Sequence, residues 1–482
     1  MTRAVLALVA ALALAPIPSS AQVSGDAPVT TTSKEALVLY QKAVDHLENI
    51  EVGKAAPLLD QAIEKDPAFA MAYLMRAQAG GGFNVSRKNL DKAVSLAPKA
   101  SPAERHWIMA LQAQFNSDTP AAKQHIAELL KLTPNDKHAI AFAGNFYRGL
   151  GDDTKALEYY ERAVAVDPTF AAAYNQVGYT HMRLGNAAGA EAAFKKYIAN
   201  RAESPNPYDS YAEMLLDRGR YDESISQYNA ALAKDPTFPG SFTGIGHNHV
   251  FKGEYEKARS SYKRLHDLGS PTNRSGALFW TAVSYVHEGN TPEALKALEQ
   301  QREVGVKEDL IPTVLGSHLN QAFILSESGK IEESRKHLTE ATRTLEAAQL
   351  PDSVKANWRR QVEFGSAMNA ASTKDSAAAR SHLDKVKAMI TPGLPPAVMQ
   401  QYEFAVGMNE FSQGNYEAAI AHFSKADDQD PYTTFYVAEA TRLKGDAAGA
   451  ETLYKKVLAS NQNGLGYAVI RSRARKAAGS GT

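Results

Sequence analysis

From Asp153 to Val166 the chain reads DTKALEYYERAVAV, and its apolar residues Ala156, Leu157, Tyr160 and Ala163 recur every three or four positions. That spacing gathers them on one face of an amphipathic helix. The preceding stretch, 139–150, repeats it through Ile140, Ala143, Gly144 and Tyr147 and predicts a second helix. Gly151 lies just past this first helix, where a left-handed C-cap costs least. Asp167-Pro168 closes the second, because proline cannot continue a helix and disfavours helical geometry before it. The pattern predicts a helix–turn–helix hairpin whose apolar faces need neighbours to cover them.

The hairpin recurs. Gly151, Gly185, Gly219 and Gly253 are spaced 34 apart (185−151, 219−185, 253−219). Seven positions before each stands a small residue: Gly144, Gly178, Ala212 and Gly246. Five positions after come Ala156, Ala190, Ser224 and Ala258, and nine after come the aromatics Tyr160, Phe194, Tyr228 and Tyr262. Pro134, Pro168 and Pro236 close units in register. Small residues on both helices allow a close crossing, with the aromatic filling the gap beside it.

At these residues the chain resembles the tetratricopeptide repeat family, closely over residues 137–271 and more loosely on both sides. The resemblance implies an all-α, right-handed superhelical solenoid of about twelve helix–turn–helix hairpins. It also implies that the first helix of each hairpin lines a concave groove. Carried onto this chain, the groove positions include His138, Asn145 and Arg148, then Asn175, Tyr179 and Met182, then Asp209 and Glu213, then Thr243 and His247. Flanking positions are more apolar, Phe279, Phe323, Phe404, Met408 and Phe411 among them. Ala141 and Gln176 stand where some family members place a basic residue and an asparagine to clamp a C-terminal carboxylate, so that clamp is not carried over.

Composition adds limits. Lys+Arg and Asp+Glu balance at 53 each, with no basic block that would supply affinity for nucleic acid. The chain has no cysteine, which excludes a disulfide frame and cysteine–zinc sites. Arg3, the apolar run Ala4–Ala15 and Ser19-Ser20-Ala21 have the layout of a secretory signal peptide, too short for a span that needs about 20 residues. The expected organisation is a signal peptide at 1–21, a disordered lead-in at 22–33 and an N-terminal repeat block at 34–349. A divergent helical hairpin at 350–396 and further units with a capping helix at 397–482 follow. No other stretch suggests a membrane span, and the expected location is the periplasm or outside the cell.

No catalytic constellation is legible. His247 and His249 are two apart, which on a helix separates them by about 200°, so they cannot chelate one ion. Gly80-Gly81-Gly82 lacks the lysine and serine of a phosphate loop and reads as a turn. No metal site, cofactor or enzymatic activity is expected. The expected role is an exported scaffold or adaptor that binds a protein or peptide segment along the groove, with a small-ligand or polysaccharide-binding protein as the alternative.

Overall fold

The computed structural model describes residues 27, 29–391 and 394–479. Among them are twenty-five α-helices, one short 3-10 helix at Ala97–Lys99, and no strand. The signal-peptide expectation at 1–21 lies outside the described residues. The chain divides into two compact units, Met1–Leu184 and Gly185–Thr482.

The first unit holds α1 (Lys34–Glu48), α2 (Val52–Lys65), α3 (Ala70–Gln78), α4 (Phe83–Leu96), α5 (Pro102–Phe115), α6 (Thr119–Leu132), α7 (Lys137–Gly149), α8 (Asp153–Val166) and α9 (Ala171–Arg183). α1–α8 pack as four hairpins in chain order. The second holds α10 (Ala187–Asn200), α11 (Asn206–Asp217), α12 (Tyr221–Lys234), α13 (Pro239–Phe251), α14 (Tyr255–Asp267), α15 (Pro271–Glu288), α16 (Thr291–Lys307), α17 (Ile311–Glu327) and α18 (Ile331–Ala347). After them come α19 (Asp352–Ser372), α20 (Ser376–Ala388), α21 (Pro396–Ser412), α22 (Tyr416–Phe423), α23 (Pro431–Leu443), α24 (Ala447–Leu458) and α25 (Leu465–Ala477). Here α11–α24 form seven hairpins and α25 stands alone at the end.

The residues that carry the repeat do what the pattern predicts. The four spaced glycines take positive φ of 77°, 74°, 71° and 76°, following α7, α9, α11 and α13 in a conformation that side chains disfavour. The small-residue and aromatic positions are one joint. A Cβ placed on Gly144 would stand 2.5 Å from Tyr160 Cε1, and one on Gly246 would stand 2.1 Å from Tyr262 Cε1. Both rings are fully buried. The second helices α8 and α10 start on side-chain caps, Asp152 accepting from the Lys155 N–H at 3.0 Å and Asn186 from that of Gly189 at 3.0 Å, each worth about 1 kcal/mol, whereas α12 and α14 have none.

Two features depart from simple stacking. Ala27 and residues 29–33, expected within a disordered lead-in, are held by side chains of the first unit. The Ala27 N–H donates to Asp136 Oδ2 at 2.8 Å, the Thr30 N–H to Glu104 Oε1 at 2.7 Å, and the Thr31 hydroxyl to Asp66 Oδ2 at 2.6 Å. A composition of small polar residues does not reveal acceptors waiting elsewhere in the chain. In the second unit the C-terminal end turns back on the array: α25 packs on α15, α17, α23 and α24. The inner wall expected to lie open is covered there by the chain itself, because α25 and the loop before it bring aromatic, amide and guanidinium groups that fit it.

Candidate functional site

In the first unit, α1, α5 and α7 turn acidic side chains toward one another. Tyr40 on α1 is buried, and its phenol is pushed above its ordinary range by burial first and by Glu104, Asp136 and Glu48 second. Asp136 caps α7 through Oδ1, which accepts from the N–H of His138 at 2.8 Å and of Ala139 at 3.0 Å. Glu104 closes a capping box with Ser101 at the start of α5. Glu104 and Asp136 each have a local helix-capping duty, and their remaining lone pairs accept from Thr30 and Ala27.

The predicted groove residues of this unit have separate tasks. His138 meets Glu48 through Nδ1 and packs edge-on to Phe170 at 5.3 Å between ring centroids, which ties the end of α1 to the start of α7. Asn145 is exposed and accepts the Tyr160 hydroxyl at 2.7 Å, and Arg148 is exposed one turn further along. Asn175 is only 1% exposed and is covered, so it is not a surface on which a partner can lie. Its Oδ1 has no hydrogen-bond partner among the described residues. Tyr179 and Met182 are half-buried.

In the second unit, Asp209 on α11 accepts the Ser241 hydroxyl of α13 at 2.7 Å. Burial pushes its carboxyl up to about 7; the Ser241 hydrogen bond opposes the rise and nearby Glu213 adds to it. Glu213 is exposed, and the Thr243 hydroxyl donates to the Pro239 carbonyl at 3.3 Å. His247 is half-buried with its ring nitrogen engaged: Nδ1 lies 2.9 Å from the Tyr262 hydroxyl and 2.9 Å from Asn463 Nδ2, with Trp280 edge-on at 4.4 Å. Burial lowers its pKa to about 3, so the ring is neutral at pH 7. Phe279 is half-buried beside Trp280 at 4.8 Å. The expectation that these positions line an open surface is corrected for Asn175, which is buried; the half-buried His247 has its Nδ1 taken up by Tyr262 and Asn463.

An accessible cleft in this unit lies between α17, α19 and α21, closed at one end by α23. It holds about 550 Å³, within the range of ligand pockets. Phe323, Phe364, Met368 and Phe404 form its floor, and Asn320, Gln361, Gln400 and Gln401 bring amides to it. Glu327, Asp427 and Asp430 are its charged lining residues, all acidic. Glu327 also accepts the hydroxyls of Tyr432 at 2.6 Å and Tyr436 at 3.1 Å and pairs with Arg473 at 2.8 Å, so the rim of the cleft is bound to α23 and α25. Phe323 and Phe404 were legible as apolar inner positions; Gln361 on α19 was not, because the divergent hairpin lacks the glycine and aromatic that set the register. Among the described residues, no three or more His, Cys, Asp or Glu side chains are grouped to hold a metal ion.

Comparison with known proteins bears on the fold. Two family models match, one described as TPR repeat at residues 144–185 and one as tetratricopeptide repeat at 171–203. The chain is 23% identical over 229 residues to the antiviral innate immune response effector IFIT1 of Macaca fascicularis, covering 45% of this chain and 44% of that protein. It is 25% identical over 238 residues to protein FlbA of Caulobacter vibrioides, covering 45% and 39%. Among solved structures, the type IV pilus biogenesis factor PilW aligns at 19% identity and a TM-score of 0.36, over 42% of this chain and 92% of that one. The chain thus spans less than half the length of the curated relatives named here. With glycine-ended first helices, small residues seated under buried aromatics and matching repeat models, residues 144–203 are tetratricopeptide repeats, and helical hairpins of the same build recur among the other described residues.

Proposed function

We propose that the chain is a non-catalytic, exported scaffold or adaptor that binds a segment of a partner protein in the cleft between α17, α19 and α21. The observation that carries this reading is the lining: an aromatic and thioether floor, side-chain amides beside it, and acidic residues at its edge. Such a floor accepts apolar side chains while amides bond an extended backbone, the division of labour common in peptide recognition. Asp427 and Asp430 favour a neutral or basic segment over an acidic one, Glu327 being paired with Arg473. Repeat proteins of this fold commonly act as binding scaffolds, which agrees with the absence of a recognisable catalytic motif in the sequence. Export rests on Arg3, the apolar run Ala4–Ala15 and the small residues before Gln22.

The test is a peptide display selection against the purified chain, run beside a glycan array. Selected peptides should be apolar and neutral or basic, and Phe404→Ala should weaken them at least tenfold, about 1.4 kcal/mol. Peptides that bind Phe404→Ala and Met368→Ala as tightly as the unaltered chain would remove the cleft from the proposal. Binding of glycans with no selected peptide would favour the polysaccharide reading. N-terminal sequencing of the chain from a fractionated bacterial host checks export: a start at or near Gln22 is expected.

A further inference from the structure

The inner wall of the second unit is covered at α11, α13 and α15 by residues 459–477. The cover is specific. Asn461 accepts the Tyr221 hydroxyl at 2.6 Å and donates to the Asp217 carbonyl at 3.1 Å, so one amide satisfies the end of α11 and the start of α12 together. Two residues on, Asn463 places Nδ2 2.9 Å from His247 Nδ1 and Oδ1 3.0 Å from His287 Nε2, bridging α13 and α15. Arg471 donates to the Phe251 carbonyl at 3.3 Å and lies over the Phe251 and Tyr467 rings at 5.2 and 5.8 Å. Arg473 pairs with Glu327 at 2.8 Å. Side-chain amides that satisfy polar groups and a helix that brings basic and aromatic side chains are contacts of the kind a bound peptide makes. Here the segment belongs to the same chain.

We propose that residues 459–477 are an intramolecular ligand of the wall formed by α11, α13 and α15, a latch that covers it at neutral pH and leaves it when the medium acidifies. The inference is independent of the cleft between α17 and α21, and either can fail without the other.

Acid sensitivity follows from what the latch encloses. His247 faces Tyr262, Trp280 and Asn463. His287 faces Phe251, Tyr467 and Asn463, with Arg471 and Arg475 of α25 repelling its charged form and His247 adding to that. Burial holds both imidazoles at about 3. Their ordinary value is near 6.5. The sign follows: latched, both rings stay neutral; released into water, they take up protons as pH falls below about 6.5. Proton uptake therefore favours release, up to about tenfold per pH unit for each ring, and no penalty acts above about pH 6.5. For the pair, the balance moves by up to roughly three hundredfold between pH 6.5 and 5. Some polar atoms under the latch lack partners among the described residues, His287 Nδ1, Arg471 Nε and the Tyr467 hydroxyl, so the cover has unmet hydrogen bonds that release to water would satisfy.

The chain has no cysteine, so two labels can be placed without background. Glu256 on α14 and Lys476 on α25 are exposed. Glu256→Cys and Lys476→Cys, spin-labelled in the full chain, report the distance between wall and latch. One narrow distance is expected at pH 7.5, and a second, longer and broader one at pH 5, with helical circular dichroism retained. Asn463→Ala should raise the pH at which the longer distance appears. His247→Gln with His287→Gln should suppress it. The proposal is overturned by a distance unchanged down to pH 5, by the double glutamine variant separating at the same pH as the parent, or by loss of helicity at the same midpoint as separation, which would mean global acid unfolding.

Discussion

Gly246 is where the packing argument is sharpest. In Gly246→Ala the new methyl would stand 2.1 Å from Tyr262 Cε1, 2.6 Å from Cζ and 2.7 Å from Cδ1. Carbon atoms pack best at about 3.5–4.0 Å, so the ring must retreat by roughly 1 Å or more. It has nowhere to go: Tyr262 is 0% exposed and its hydroxyl is held 2.9 Å from His247 Nδ1. Overpacking of this kind costs about 1–3 kcal/mol. Against it stands the helix-interior gain of alanine over glycine, about 0.5–1 kcal/mol. The steric term wins, for a net loss of about 1–2 kcal/mol. Gly276→Ala, on the neighbouring α15, separates the two effects, since its Cβ would meet nothing within 4 Å. That variant keeps the gain without the clash and should stabilise by about 0.5–1 kcal/mol. Thermal melts followed by circular dichroism should show Gly246→Ala several degrees below the parent and Gly276→Ala above it, at about 2–4 °C per kcal/mol. A Gly246→Ala protein that melts at or above the parent would refute the view that the small residue exists to admit the ring.

Three further outcomes are expected. Because the Asp209 carboxyl is raised to about 7, folding favours its protonated form, and that stabilising contribution is complete below about 4 and fades as pH rises to about 7. Asp209→Asn should match the parent at pH 4 and exceed its melting temperature at pH 8; an equal difference at both would show that the carboxyl does not titrate there. Glu104→Ala removes both the capping box of α5 and the acceptor of Thr30, so limited proteolysis should cut before Ser33 faster than in the parent, with a loss of about 1–2 kcal/mol in denaturant unfolding. Unchanged cleavage would mean the strap is held by something else. Tyr221→Phe deletes one latch hydrogen bond and should cost about 1 kcal/mol, whereas Tyr221→Phe combined with Asn461→Ala should cost less than the sum of the two single changes. Full additivity by the same denaturant measurement would mean the two side chains do not interact.

The repeat was legible because its physics is local. Gly151 and its equivalents, Gly144 beneath Tyr160, and Asp167-Pro168 each act within one hairpin, and a requirement met within one hairpin recurs along the sequence at its period. The helix class, the hairpin order and the glycine-ended turns follow from that periodicity alone. Groove positions were legible as positions and not as surfaces. The sequence places His247 on the inner face of α13, but Asn463, 216 residues away, decides that the face is covered. Tyr221 meets Asn461 across 240 residues, and Thr30 meets Glu104 across 74. Contacts of that reach leave no period to detect, since each joins one unique residue to another. They form only when stacking within a unit has brought helices distant in sequence within hydrogen-bond range. Periodicity determined what each unit is; tertiary closure determined which of its faces a partner can reach.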